Sequence, residues 1–444
     1  MKEYKVALEA GYHKEDLEIN NLGSNIKIDV EGKEFFMTLF LFQNDRQICQ
    51  ITTNKATSRI ITTDPSKTSR ACQALETTGT LTLEYALYSF NKDNKVNLII
   101  KEATDQMILS YESEVDIYQD LTLKDQPSWY SGDFHTHTIY SDGKLTREEN
   151  LVMANSRDLD FFAPTEHNVF HQTWPDSNIL IIPGMEFTSD LGHFNILFSE
   201  VSTLEAGELG EFASEEDFKK LLDKYSHSGI ISLNHLFLAP WDLKMGSYEL
   251  DKIKTMEIIN DPTYWANTEA TEKALKAWSI MLNDGYKIVG IGGSDSHNIP
   301  SEVYEGSIYP SLIGDPKTWI YAKSLSKKDL KEALLAGKVC VSREDLIGLR
   351  EDEDGFSVDI YRKTYHKSKL KIQWIVDGKI ARETNSSTDR FDYKPKDDYS
   401  WIRVDVRDKD GLLYGFTNPI FFNEDKRENH KLFTWQDILD QIDD

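Results

Sequence analysis

Gly132-Asp133-Phe134-His135-Thr136-His137, with Ser141-Asp142-Gly143 close behind, is the stretch on which the reading of this chain turns. In a β-strand successive side chains point to opposite faces, so His135 and His137 would share one face of a strand tip. Two imidazoles aimed at one spot, with the Asp142 carboxylate a few residues on, make a donor set that suits a divalent metal ion. A polar strand end with incidental histidines is the competing reading of the pair alone. The rest of the chain decides between them.

The chain has 444 residues, room for two or three domains. Its net charge of −25 repels long polyanions, and no Lys/Arg-rich stripe with interleaved aromatics marks a nucleic-acid track. Long nucleic acid is therefore not an expected partner. A small-molecule or short phosphate-ester substrate stays open, because bound cations dominate the field inside a site. No apolar run approaches the roughly 20 residues needed to cross a bilayer, so no membrane partner is expected. Met1-Lys2-Glu3-Tyr4-Lys5 lacks the apolar core of a signal peptide. Cys49, Cys72 and Cys340 stand far apart in sequence with no CxxC pair, which fits buried thiols in a reducing compartment better than a disulfide frame. A soluble, cytoplasmic protein is the expectation; its oligomeric state is not written in the sequence.

Residues 1–128 read as a β-rich domain. Ile26-Lys27-Ile28-Asp29-Val30, the run Phe35 to Phe42, Leu81 to Tyr85 and Val96 to Ile100 are short, β-branched or aromatic, and separated by turn residues. An antiparallel sandwich is expected there, with Gln126-Pro127-Ser128 as linker. From 129 to 345 strands alternate with helices, the rhythm of an α/β layered or barrel domain. Thr146 with Glu149 is a capping-box pattern; Ser214 caps a helix with Phe218, Leu221, Leu222 and Tyr225 on one face and Gly229 as its stop; Leu275, Trp278 and Leu282 face inward from a helix over 267–284; Ser326 with Asp329 opens a last helix ending at Gly337. Residues 346–444 return to β, with strict alternation over Trp401 to Val406, turns at Asp377-Gly378 and Asp408 to Gly411, and a short acidic amphipathic tail. A β-sandwich of immunoglobulin-like type is expected.

In the middle segment, residues of metal-ligand type recur just after predicted strands: His135 and His137, Asp142, Glu166-His167, Glu186, His193, His235, and Asp295 with His297. Ligands gathered from many strand ends are how barrel enzymes build a site. Six of the eleven histidines fall in these positions, which chance placement explains poorly.

The set resembles the PHP (polymerase and histidinol phosphatase) metallohydrolases, and within them the CehA/McbA-like branch. The resemblance runs over roughly 130–345 and rests on His135-Thr136-His137, Ser141-Asp142-Gly143, Thr165-Glu166-His167-Asn168, Pro183-Gly184-Met185-Glu186, Gly192-His193, Asn234-His235 and Gly293-Ser294-Asp295-Ser296-His297, in the family's order. Glu166 departs from the Asp that many relatives carry. The resemblance implies a distorted (β/α)7 barrel flanked by N- and C-terminal β-sandwich domains. It implies two or three divalent ions of Mn, Fe or Zn: His135, His137, Glu186 and Asp295 for one, Asp142, His167 and His297 for a second, and Glu186, His193 and His235 for a third, with Glu166 orienting a ligand from behind. Such ions would lower the pKa of held water from 15.7 to roughly 7 and so supply a hydroxide nucleophile, bridging two of them, at neutral pH. The activity implied is phosphoester hydrolysis, on a phosphodiester or small phosphomonoester or in the manner of a short-oligonucleotide exonuclease. Hydrolysis of a carbamate, ester or amide is the alternative, and a non-catalytic binding protein with an inert barrel is a third, against which the complete ligand set argues. A pocket lined by Lys and Arg would favour phosphate, an apolar one an acyl substrate.

Several neighbours have two readings. Glu257 and Asn260 could touch substrate or cap a strand; Lys144 and Arg343 could meet a substrate anion or be solvated. Trp174, Trp241 and Trp265 read as wall or packing residues, His171 and His227 as surface or helix-end histidines.

Overall fold

The computed structural model describes residues 3–17, 23–76, 79–89, 91, 94–110, 114–307, 309–352, 355–361, 370–392, 400–422 and 430–443. At the N-terminal end two four-stranded antiparallel sheets face one another. One has the order Tyr4–Leu8, Val96–Glu102, Asn25–Glu31, Thr57–Thr62; the other Gly11–Leu17, Leu81–Ser89, Phe35–Gln43, Arg46–Thr53. Between them lies a shared core that includes Ile26, Ile28, Phe35, Met37, Leu39, Leu83 and Leu98. The alternating pattern read from the sequence is what buries these residues on one face of each sheet. Cys49 and Cys72 sit in this core, and Cys340 is buried elsewhere.

The middle segment has strands that begin parallel. Ser128–Thr136 pairs parallel with Phe161–Pro164, which pairs parallel with Leu180–Ile181. A second, five-stranded sheet runs Gly184–Ser189, Gly192–Leu197, Ile230–Leu233, Thr255–Asn260, Val289–Gly293. Single parallel bridges, His167 to Glu186 and Thr136 to Ser296, stitch the two sheets at both edges. The α/β-plus-β architecture is therefore as expected, but among the described residues the strands do not form one continuous closed ladder. The physical reason is local. Gly184–Ser189 and Gly192–Leu197 form an antiparallel hairpin in place of a βαβ unit, and Asn168 and Asp295, next to the two bridges, turn the backbone to φ +54° and +49°. A strand cannot propagate through such a residue.

The helices follow their local signals. Thr146 and Glu149 form a reciprocal capping box at the start of Arg147–Ser156. Ser214 caps Glu215–Ser226, which buries Phe218, Leu221, Leu222 and Tyr225. Full burial of such side chains is worth about 1.5–3 kcal/mol each, far more than the cap. Gly337, at φ +68°, ends Lys327–Leu335 as expected. Gly229 is a correction: the helix already closes at Ser226, and the glycine serves close approach, since a Cβ there would lie 2.6 Å from Ile196 Cγ1.

The first sheet continues past residue 345. From Ser128–Thr136 it runs antiparallel through Lys317–Ala322, Val339–Ser342, Leu413–Thr417, Ser400–Arg407 and Lys371–Val376 to Lys379–Thr384. A separate three-stranded sheet, Leu346–Asp352, Gly355–Tyr361 and Thr388–Phe391, shares a core with it around Trp374, Ile402 and Val404. Asp377 and Gly378 are both left-handed, as a tight hairpin turn requires. The largest core, under the five-stranded sheet, takes Phe40 and Phe42 from the N-terminal part and Trp401, Phe416, Trp435 and Ile438 from the C-terminal part. Among the described residues no helix is long and apolar enough to cross a membrane.

Candidate metal centre

The ends of the middle strands bring together all nine donors read from the sequence. His135 and His137 leave the end of Ser128–Thr136, and both are buried. His135 Nε2 lies 3.3 Å from Glu186 Oε1 and 3.2 Å from Asp295 Oδ1; His137 Nε2 lies 3.5 Å from Glu186 Oε2 and 3.1 Å from Asp295 Oδ1. Asp142 Oδ1 sits 3.4 Å from His167 Nε2 and 3.1 Å from His297 Nε2. Glu186 reaches His193 Nδ1 at 3.1 Å and His235 Nε2 at 3.4 Å. Carboxylates thus sit between imidazoles throughout. Four overlapping groups have donor atoms that all lie within 4.8 Å of one another: His137, Asp142, His167 and His297; His135, His235 and Asp295; His135, His137 and Glu186; His167, Glu186 and His193. His137 therefore also borders the Asp142 group, and His193 groups with His167 rather than with His235.

The donor set fits divalent cations. His135 Nε2, His137 Nε2, His235 Nδ1, Asp142 Oδ1 and Glu186 Oε2 are buried and have no hydrogen-bond partner among the described residues. Orphaned buried polar atoms are costly, and donors that converge without satisfying one another are satisfied by a cation. Protonation preferences divide the imidazoles: against burial, the neighbouring carboxylates raise His135 and His167 well above the ordinary value, whereas two others are pulled down. Burial, helped by the nearby His297 and His167, pulls His137 down to about 4. Burial also takes His193 to about 4 against the pull of Glu186. Both imidazoles are thus neutral at pH 7, the state in which a ring nitrogen is a ligand. Burial opposes ionisation of Asp142, Glu186 and Asp295, but the surrounding histidines outweigh it and hold all three well below the usual carboxylate range. Against burial, Asp142 raises His297 to about 9. That proton occupies a place a metal would take.

Behind the donors stands a second layer. Glu257 Oε1 bonds His135 Nδ1 at 2.7 Å, while its Oε2 accepts the His235 N–H and the Asn260 amide, both at 3.0 Å. Of the two readings of Glu257, the positions support neither substrate contact nor a mere strand cap: it fixes the His135 imidazole and the backbone of His235 at once. Asp133, inside the opening motif, accepts from the backbone N–H of His135, Ser294 and Gly314, and burial raises it to about 6. Glu166 accepts from Thr138 and from Ser141 Oγ, so it braces the turn between His137 and Asp142. His171 is a correction. It is not a surface histidine but a fully buried one, 3.2 Å from Glu166 and packed on Trp174, because the chain after His167 folds back under the turn. His227 is at a helix end, with Nδ1 on the Asp223 carbonyl.

The N-terminal sheets also take part. Phe36 packs its edge on the His167 ring, Asn168 Nδ2 donates to Thr38 Oγ1 at 3.3 Å, and the Phe170 N–H donates to Gln50 Oε1 at 2.9 Å. His167 Nδ1 meets Thr188 Oγ1 at 2.6 Å. Four residues around the donors, Asn168, His235, Asp261 and Asp295, have positive φ. Such conformations persist where surrounding structure over-determines them, commonly at functional sites.

Above the donors opens a cavity of about 350 Å³, lined beyond the ligands by Leu238, Trp241, Asn260, Asp261, Tyr264, Asn267 and Tyr304. Among the described residues no Lys or Arg lines it. Lys144 is tied to Glu302 and Asn298, and Arg343 is held in a bidentate pair with Asp315. Trp241 is at the cavity wall, whereas Trp174 is core and Trp265 stands exposed beside Tyr264. A larger groove of about 500 Å³ over Glu215 to Lys252 is a surface of paired carboxylates and ammonium groups.

No protein-family model matches the chain, and no curated protein matches it. Among solved structures, a two-domain protein from Bacteroides vulgatus, described as containing a predicted PHP-like metal-dependent phosphoesterase, is similar at 18% identity. The similarity covers 67% of this chain and 96% of that one, with a TM-score of 0.39.

Proposed function

We propose that this chain is a metal-dependent hydrolase of PHP type, with a distorted (β/α)7 barrel between two β domains, and that it cleaves a phosphoester with two or three divalent ions of the Mn, Fe or Zn kind. The observation that carries the proposal is the convergence of nine imidazole and carboxylate donors, several orphaned, six of which line one cavity while His135, His137 and Glu186 lie buried behind them. His135, His137, Glu186 and Asp295 would hold one ion, Asp142, His167 and His297 another, and Glu186 with His193 and His235 a third. Bound ions of this kind acidify water and polarise a phosphoryl or acyl oxygen. The chain's own part is positioning. Glu257 fixes the tautomer of His135 by holding Nδ1. Asn234 Nδ2 donates to Glu186 Oε1 at 2.9 Å and so sets the rotamer of the central carboxylate. The buried floor keeps the imidazoles neutral or carboxylate-paired, ready to exchange protons for cations.

A second reading, hydrolysis of an ester, carbamate or amide as in the CehA/McbA-like branch, is favoured by the wall. Leu238, Trp241, Tyr264 and Tyr304, with no Lys or Arg among the described lining residues, suit an uncharged group better than a phosphomonoester dianion. Within the phosphate reading the same wall points to a diester. One panel decides: aryl phosphate monoester, aryl phosphodiester, short oligonucleotide, aryl ester and aryl carbamate, with metal content measured alongside. Two or three equivalents of metal and hydrolysis abolished by chelation are expected. At most trace metal after reconstitution would sink the proposal, as would unchanged turnover in His135→Ala or Asp295→Ala. Trp241→Ala should raise KM for the preferred substrate and leave kcat close to the parent value.

A further inference from the structure

Two residues that the sequence separates meet in the N-terminal sandwich. Cys49 lies on Arg46–Thr53 and Cys72 on the segment after Thr57–Thr62, and they form an isolated antiparallel bridge. The flanking hydrogen bonds, Gln50 N–H to Ala71 O at 3.0 Å and Gln73 N–H to Ile48 O at 2.8 Å, make this a non-hydrogen-bonded pair. In such pairs the Cα atoms stand about 4.5 Å apart and the side chains on one face are closest. Disulfides need Cα separations of about 4.4–6.8 Å, so the backbone is already within range. The Cys72 S–H donates to Cys49 Sγ at 3.2 Å, both side chains buried. About an ångström of closure brings the sulfurs to the 2.05 Å of a covalent bond. Cys340 belongs to a different core and has no such partner among the described residues.

We propose that Cys49 and Cys72 are a built disulfide site, resting as a dithiol under reducing conditions and closing by exchange with a small disulfide such as oxidised glutathione. Cys72 is the more accessible of the two, at 8% against 1%, and reacts first. Its thiolate attacks one glutathione sulfur, breaking the glutathione S–S bond and releasing one glutathione thiolate. The Cys49 thiolate then attacks Cys72 Sγ in the mixed disulfide and expels the second glutathione. One S–S bond forms and one breaks, and the two thiol protons pass to two glutathione thiols. The cross-link joins the sheet of Arg46–Thr53 to the segment that follows Thr57–Thr62 of the facing sheet, so it pins the two layers together.

The test refolds the full chain in a glutathione redox buffer, which removes burial as a kinetic barrier, then alkylates under denaturing conditions and maps the adducts by mass spectrometry. The chain has three cysteines; the expected result is loss of two alkylatable thiols, Cys49 and Cys72, with Cys340 still labelled and a melting midpoint above that of the reduced chain. Cys49→Ser should leave Cys72 labelled or carrying glutathione. Three labelled thiols in the parent chain, or Cys72 trapped as a glutathione adduct in the presence of Cys49, overturns the proposal.

Discussion

Replacing Gly293 by alanine adds one methyl group where the site has no room. The new Cβ would stand 2.5 Å from His135 Cβ and would press on Glu257 Oε1. Carbon atoms pack at about 3.5–4.0 Å, so the neighbours must move by about 1 Å or more. His135 cannot yield alone: its N–H is bonded to Asp133, and its Nδ1 to Glu257, which in turn holds the His235 N–H. Overpacking of this kind costs about 1–3 kcal/mol of stability. A misplacement of about 1 Å at a reacting centre costs about 100-fold in rate. Gly293→Ala should therefore stay folded by near-UV circular dichroism and lose at least one equivalent of metal by elemental analysis. Turnover of the best panel substrate should drop about 100-fold. Full metal content with turnover within about threefold of the parent would refute the claim that this glycine's missing side chain is what lets His135 and Glu257 share the floor.

Two further outcomes are expected. Burial alone would raise Glu114, but Arg147 and Arg70 outweigh it and hold its carboxyl below the usual range. A depressed carboxylate contributes stability that is complete above its unfolded pKa and is lost as pH falls through the folded one. The urea midpoint of the parent should thus fall more between pH 7 and acid than that of Glu114→Gln, and equal falls would remove Glu114 from the account; Glu114→Ala at neutral pH should cost about 3–5 kcal/mol because two arginines lose their partner. Gln50→Leu strands the buried Phe170 N–H at a cost of about 1–3 kcal/mol, and it should weaken metal binding at the group around His167; a metal titration superimposable on the parent's would contradict this.

The donors were legible because each sits in a short contiguous motif at a strand end, where period-2 alternation and a few glycines are visible without any long-range information. The helices were legible for the same reason: Thr146 with Glu149 and Ser326 with Asp329 are local bonds. The layer behind the donors was not. Thr38 and Gln50 are 130 and 120 residues from the atoms they hold, and nothing in their own neighbourhoods distinguishes them from other polar strand residues. His171 misled because its hydrogen-bond partner, Glu166, becomes a neighbour through a reversal of the chain after His167. The ring of strands misled because left-handed residues at Asn168 and Asp295 interrupt it where ligands must turn inward.

Continuity of the first sheet past residue 345 limits how the chain can be cut. Ending it there would uncover the N–H and C=O groups of Cys340, Val341 and Ser342, now paired with Leu413–Thr417. It would also remove Phe416 from the face of Trp278, 5.3 Å away. A bare strand edge beside an opened apolar face is a template for self-association. The C-terminal strands therefore act as an edge guard for the segment that holds the donors, and a chain ending at 345 should elute from a sizing column as aggregate while the full chain does not.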